Sequence, residues 1–294
     1  MSIFQIFIIV LINAGGEGKT TLTLLIRALF QLAEREHLLL DSDHGNFALK
    51  SRYGDDLMTK ALGWNVGPET APTIVATAKG LPVLMDAGAS MLASQREIVD
   101  LLPRLRNKFA DSGYRTVALI PISTNKIGAA GALKGFASKL GNFEKIVVKN
   151  DRDGSNEFEV LPKEYPLICI PQLEPGLNAY LFRSRRDIAD VVTNPEQGYI
   201  KASAHIAQWI RTFASDPQVQ NLLGLELCES AIRRLPPAPS ESHFPFSTYS
   251  HVNDEFIEKH KHIFPIADLI YRFGWNAGGL RQAADVLDAQ ARSL

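Results

Sequence analysis

Cysteine is scarce in this chain of 294 residues. The two that occur, Cys169 and Cys228, stand far apart and form no CxxC pair. That excludes a disulfide-stapled scaffold and a thioredoxin-like redox motif, and it suits a reducing cytoplasm, the expected location. Charge of one sign is also missing. Lys and Arg number 31 against 32 Asp and Glu, a formal net charge of -1, so the chain as a whole is no nucleic-acid-binding polycation. A local basic patch stays open. No long apolar run is present. The opening "MSIFQIFIIVLIN" is 13 residues long and carries no positive charge before Lys19. A signal peptide opens on a basic segment, and a membrane-spanning helix needs about 20 apolar residues. No span is expected, and the run reads as a strand buried on both faces. Internal repeats and sustained heptads are absent as well.

With 46% hydrophobic and 21% charged residues, the composition is that of a globular protein. Short apolar runs alternate with helical patterns. Strands are expected at 3–12, in "HLLLDSD", in "GLPVLMDAG" at 80–88, in "YRTVALIPIS" at 114–123, in "FEKIVVKND" and in "YPLICIPQL". Helices are expected in "KTTLTLLIRALFQLAERE", in "REIVDLLPRLRNKFADSG" despite Pro103, and in "GALKGFASKLG". This alternation predicts an α/β fold with a mostly parallel sheet flanked by helices, doubly wound, with right-handed crossovers. Beyond about residue 183 the patterns are helical, as in "SRRDIADVV" and "YIKASAHIAQWIRTFAS". The expected organisation is an α/β domain over 1–215 and a helical C-terminal extension over 216–294. A Pro/Ser-rich break at 235–247 interrupts the extension.

The chemistry starts with "INAGGEGKTTL". Gly15, Gly16, Glu17, Gly18, Lys19, Thr20 and Thr21 lie between a buried strand and a helix. Such a turn points successive backbone N–H groups at phosphate oxygens, and the helix dipole adds to them. Lys19 reaches the β- and γ-phosphates and the Thr20 hydroxyl ligates Mg²⁺. The common GxxxxGK[ST] pattern wants glycine where Asn13 stands; a Gly-Gly variant, often KGGxGKT[ST], fits better. Asp41 and Asp43 end the second strand, at the ligand-binding edge of an open α/β sheet. They can order metal-bound water and position an attacking water; a turn or helix cap is the alternative for Asp43. Asp86 ends the apolar run "LPVLM" in the Walker-B manner, and Gly88 frees the segment after it. Asn150 ends "KIVVKN", where an amide can pair with both the donor and the acceptor edges of a base; simple turn chemistry is the alternative. Pro171, in "ICIPQLEP", opens a loop whose backbone can contact the base.

Taken in order, GGxGKTT, DxD, a strand ending in Asp, a strand ending in Asn and then "IP" resemble the ParA/MinD group of deviant-Walker P-loop ATPases. The resemblance covers residues 3 to about 182. It implies Mg-ATP as cofactor and a homodimer formed face to face around two nucleotides. It also implies roles by position. Lys19 and Thr20 serve phosphate and metal, and Asp43 orients the hydrolytic water. Asp41 supports the metal and switch, Asp86 is the Walker-B acid, and Asn150 contacts adenine. The stretch "VVKNDRDGSNEF" and the helical tail resemble plasmid proteins of the StbB, TraL and MobD type. That implies a protein partner in plasmid partition, stability or conjugative transfer, with at most weak or indirect DNA association. One departure stands out: Ala14 occupies the position of the signature lysine. In the family that lysine crosses the dimer to the partner's phosphates. Its loss implies slow hydrolysis, another cation in its place, or an ATP-binding switch. Arg27 lies too far along the helix to substitute, and the segment after Asp86, with Arg96, is the first place to look.

Two other function classes stay open on the sequence. One is a small-molecule enzyme of the dethiobiotin synthetase or cobyrinate amidase type, for which no lining cluster is visible. The other is a module that binds ATP without hydrolysing it. "HKH" at 260–262 reads as a solvated helix face rather than a metal site, and "RSRR" at 183–186 as either a solvated face or a phosphate contact.

Overall fold

The computed structural model describes residues 5–11, 16–42, 49, 59–61, 70–87, 96–124, 129–158, 161, 163–197 and 199–238. Asn13, Ala14, Gly15, Asp43, Gly88, the histidines of 260–262 and the tail from Asp254 lie outside these residues. So does the Pro/Ser-rich stretch from position 239 onward. The chain divides into two compact units. One comprises Met1–Gln172 with Thr212–Arg233, the other Leu173–Arg211 with Arg234–Leu294.

The first unit holds the sheet. Its strands are β1 (Ile6–Val10), β2 (Leu38–Asp41), β3 (Thr59–Ala61), β4 (Val83–Asp86), β5 (Arg115–Ser123), β6 (Glu144–Asn150) and β7 (Leu167–Ile170). All pair in parallel, in the order β3-β2-β4-β1-β5-β6-β7. The expected α/β architecture is therefore the observed one. β1, β2 and β4 are buried along their whole length, which is why their sequences are continuous apolar runs instead of alternating ones. The edge strand β7 alternates exposed and buried. The helices of this unit include α1 (Lys19–Leu32), α2 (Thr70–Ala78), α3 (Arg96–Asp111) and α4 (Ala129–Ala137), the last running into a 3₁₀ turn at Ser138–Leu140. Pro103 is accommodated inside α3. β3 and α2 escape a reading of periodicity: β3 is three residues long, and "TAPTIVATA" is rich in β-branched residues.

From β1 the chain winds outward to one side through β2 and β3, returns to β4, then crosses to build β5, β6 and β7 on the other. β1 thus stands at the topological switch point, where ligands of open parallel sheets bind at the carboxyl ends of the strands. The opposite end of the sheet is closed by aromatic packing. Phe7 of β1 stacks on Phe109 of α3 with ring centroids 4.2 Å apart, and Tyr114 meets Phe109 edge-on at 4.9 Å. The Tyr114 hydroxyl donates to Leu81 O at 3.1 Å, so its polar end is satisfied.

The first unit ends with α8 (Pro217–Leu223) and α9 (Leu225–Arg234), the latter up to Arg233. Asp216 caps α8, accepting from Gln218 N at 2.7 Å, and its other oxygen accepts from Cys169 N of β7 at 3.4 Å. Arg115 of β5 donates to Asn221 O at 2.9 Å. Both cysteines are free, Cys169 exposed and Cys228 buried.

In the second unit, α5 (Pro175–Ser184) and α6 (Ile188–Thr193) precede α7 (Ile200–Ala214), whose residues belong to this unit as far as Arg211. Tyr180 stacks on Tyr199 at 4.3 Å. Arg186, one of the "RSRR" arginines, bonds Asp190 Oδ2 at 2.7 Å, Asn194 O at 2.6 Å and Glu196 Oε1 at 3.4 Å. It closes the C-terminal end of α6, a role that neither sequence reading anticipated. Among the described residues no helix is long and apolar enough to cross a membrane.

Candidate functional site

Gly18 controls the entry to α1. It is the N-cap residue, at φ 90° and ψ 22°, a left-handed conformation that favours glycine, and no side chain caps the helix. A Cβ at this position would overlap Asn150 Nδ2 and lie 3.1 Å from Asn150 Cγ. The glycine is therefore required twice, by its torsion and by the approach of a neighbouring strand. The first bond inside the helix runs from Leu22 N to Gly18 O at 2.9 Å. The first-turn N–H groups are not satisfied by a capping side chain, and no acidic residue lies in that turn to offset the dipole. Lys19, the first helical residue, is buried, and Thr20 and Thr21 are half-buried beside it.

Asp41 and Asp86 end β2 and β4 at the same edge of the sheet. They are register partners on the adjacent strands β2 and β4, and Asp86 is also the partner of Val10 on β1. Register partners in a parallel pair present their side chains to one face, so the two carboxylates share a face. Both are almost fully buried, at 1% and 2% exposure. Asp41 Oδ2 accepts from Leu49 N at 3.1 Å. Ser42 N and Oγ donate to Asp86 O at 3.0 and 2.7 Å, and Ala87 N donates to Val10 O at 3.0 Å. The segments that leave β2 and β4 are thus pinned at the sheet edge.

On the other side of β1 the loop is tied to β5 and β6. Glu17 is buried, and its Oε2 accepts from Ser123 N at 2.7 Å. Asn150 Nδ2 donates to Glu17 O at 3.1 Å and to Ser123 Oγ at 3.3 Å. Ser123 and Asn150 are themselves register partners at the ends of β5 and β6. A backbone carbonyl only accepts, so the amide nitrogen must face Glu17. Both Nδ2 protons are then committed to the protein, which leaves Oδ1 as the polar atom available to a ligand. Asn150 on its own can pair with a donor edge, not with both edges as its type alone suggested.

The structure therefore brings Gly16, Glu17, Gly18, Lys19, Thr20, Thr21, Asp41, Asp86 and Asn150 to one edge of the sheet. Pro171 follows β7 at the same edge, half-buried. Gly15 and Asp43 lie outside the described residues. Sequence reasoning missed Ser123 and Ser42. The signal was present for both, since a serine ends the apolar strand in "LIPIS" and another separates the acids in "DSD". What could not be read was that Ser123 meets Glu17 across 106 positions and Asn150 meets it across 133. Chemically, the edge offers uncapped N–H donors and a lysine for an oxyanion, and a buried carboxylate pair for a hard cation.

No family model and no curated protein matches the chain. Solved structures similar to it at low identity include two of MinD. The septum site-determining protein MinD of Pyrococcus horikoshii OT3, complexed with Mg-ADP, is 18% identical over 75% of this chain and 98% of its own, with a TM-score of 0.45. The MinC:MinD cell division protein complex of Aquifex aeolicus is 17% identical over 70% of this chain and 95% of its own, with a TM-score of 0.42.

Proposed function

We propose that this chain is a nucleotide-dependent switch of the ParA/MinD type that binds Mg-ATP at the β1–α1 loop and hydrolyses it slowly. The observation that carries the reading is the uncapped, left-handed entry to α1, with Lys19 inside it and the buried Asp41–Asp86 pair beside it. The first-turn N–H groups and Lys19 hold the phosphates, and Thr20 with Asp86 holds the metal, supported by Asp41. When bound, Mg²⁺ neutralises charge on the β- and γ-phosphate oxygens. Asp43, two positions beyond Asp41, orients a water for attack on the γ-phosphorus. The bond to the β–γ bridging oxygen breaks, and ATP and water leave as ADP and inorganic phosphate. Asn150 Oδ1 is an acceptor and suits the amino group of adenine; guanine presents a carbonyl at that place. Pro171 opens the loop that borders the base.

The switch reading adds an ATP-dependent homodimer and a protein partner, in a plasmid partition, stability or transfer system. Ala14 removes the cation that would cross such a dimer, and a trans cation is worth ~10³–10⁵ in rate. Calorimetry of Mg-ATP with the full chain tests the core of the proposal: micromolar or tighter binding that is lost in Lys19→Ala supports it, and equal affinity of both overturns it. Turnover measured against protein concentration tests the dimer. Ala14→Lys accelerates hydrolysis at high concentration if the face-to-face dimer forms, and a variant with no effect at any concentration leaves a nucleotide-binding module.

A further inference from the structure

The turn after β6 places a cation above the phosphate loop. Arg152 N donates to Asn150 O at 2.8 Å and Asp151 N to Ile170 O at 3.0 Å, so the chain bends sharply as it leaves the strand. The turn then closes on itself. Asn156 N donates to Asp151 Oδ1 at 3.0 Å, and Ser155 N and Oγ donate to Asp153 Oδ1 at 3.1 and 2.8 Å. Gly154, at φ 77°, lies so near Gln172 that a Cβ there would come 2.8 Å from its Cδ, which seats the turn against the segment after β7. The consequence appears at Gly16. A Cβ built on Gly16 would lie 3.9 Å from Arg152 Nη1.

Arg152 is exposed, and its guanidinium makes no hydrogen bond or ion pair among the described residues. Several other arginines are engaged. Arg115 bonds Glu144, Arg186 bonds Asp190, and Arg211 bonds Gln208 Oε1 and Pro236 O. A guanidinium carries five donors in a planar fork that matches phosphate. Among the described residues none of these donors is engaged, beside a loop whose sequence has alanine where a lysine would stand. We infer that Arg152 contacts the nucleotide's phosphates from the same chain, a second cis cation beside Lys19, in a loop that has no lysine at position 14 to act in trans. The inference rests on the loop being the nucleotide site. It places the compensating charge on the β6–β7 connection, and not on the segment after Asp86 that the sequence suggested.

A cis contact has a signature. Its effect on binding does not depend on protein concentration, whereas that of a trans lysine does. The test titrates Mg-ATP into the full chain and into Arg152→Ala and Arg152→Lys, at low and high protein concentration and at low and moderate salt. A lost charge-assisted contact costs about 10- to 100-fold in affinity. Arg152→Ala should lose that much at every protein concentration, Arg152→Lys should recover part of it, and the salt dependence should flatten in Arg152→Ala. Because the side chain is exposed, melting curves should match wild type and separate a binding loss from a folding loss. Wild-type binding with unchanged affinity in Arg152→Ala overturns the assignment and leaves the loop as the nucleotide site. A loss confined to high protein concentration also overturns it, since that assigns Arg152 to a dimer contact. If wild type itself fails to bind Mg-ATP, the nucleotide reading of the loop fails first.

Discussion

The strand pair β5–β6 begins and ends on polar contacts, and the two ends do opposite things. At the start, Arg115 Nε donates to Glu144 Oε2 at 2.8 Å, with a second bond between the same groups. The pair is 33% and 39% exposed, and Arg115 also reaches Asn221 O on α8. The carboxylate raises the Arg115 pKa further above its ordinary range, so this arginine is a permanent charge with a permanent partner. Beneath it lies the aromatic stack of Phe7, Phe109 and Tyr114. This end joins strands to helices. At the far end, Ser123 and Asn150 are buried and neutral, and they bond a loop more than a hundred positions upstream. The difference follows from dielectric and geometry. An ion pair in contact with water is screened and adds little, while the buried hydrogen bonds to the Glu17 carbonyl and carboxylate hold the loop in one conformation. One end of the sheet supplies stability, and the other supplies shape.

Substitutions can test that division. Lys19→Ala should have the largest effect, removing two charge-assisted contacts and ~3–6 kcal/mol of nucleotide affinity. Calorimetry reads it, and a change confined to melting temperature would place Lys19 with the structural end. Phe109→Ala should cost about 3–5 kcal/mol of stability in denaturant titrations, because the ring is fully buried against Phe7. Its folded fraction should bind Mg-ATP with wild-type affinity; a weakened site would mean that the two ends are coupled. Asn150→Ala leaves Glu17 O and Ser123 Oγ without their donor, an expected loss of about 1–3 kcal/mol. Gly18→Ala forces a left-handed alanine, at roughly 1–2 kcal/mol, and adds the overlap with Asn150. The double variant should therefore cost less than the sum of the singles, and strict additivity would refute the contact. Glu144→Ala should be the mildest, about 0.2–1 kcal/mol, shrinking as salt is added and leaving nucleotide affinity alone.

Much of the fold is legible in the sequence. The inner strands β1, β2, β4 and β5 show as apolar runs because a parallel strand covered on both faces has no polar side to interrupt it. α3 was readable through Pro103 because its apolar spacing persists on both sides of the ring. β3 carries no such signal, since three residues are too few for a pattern. The places of Lys19, Asp41 and Asp86 in the fold were legible because each sits where a strand or helix begins or ends, and such ends are local features of sequence.

The residue types and their order along the chain determined the parallel α/β sheet, the glycine loop ahead of α1 and the acids at the strand ends. These depend on periods and neighbours within a few residues, which a sequence displays. Only the tertiary structure decided that Asn150 spends its amide protons on Glu17 and Ser123, that Gly18 is needed for space as well as torsion, and that Arg152 stands over Gly16. Those outcomes depend on strand order. β1 lies between β4 and β5, and β6 lies next to β5, so groups remote along the chain meet at one edge through contacts that no local pattern encodes.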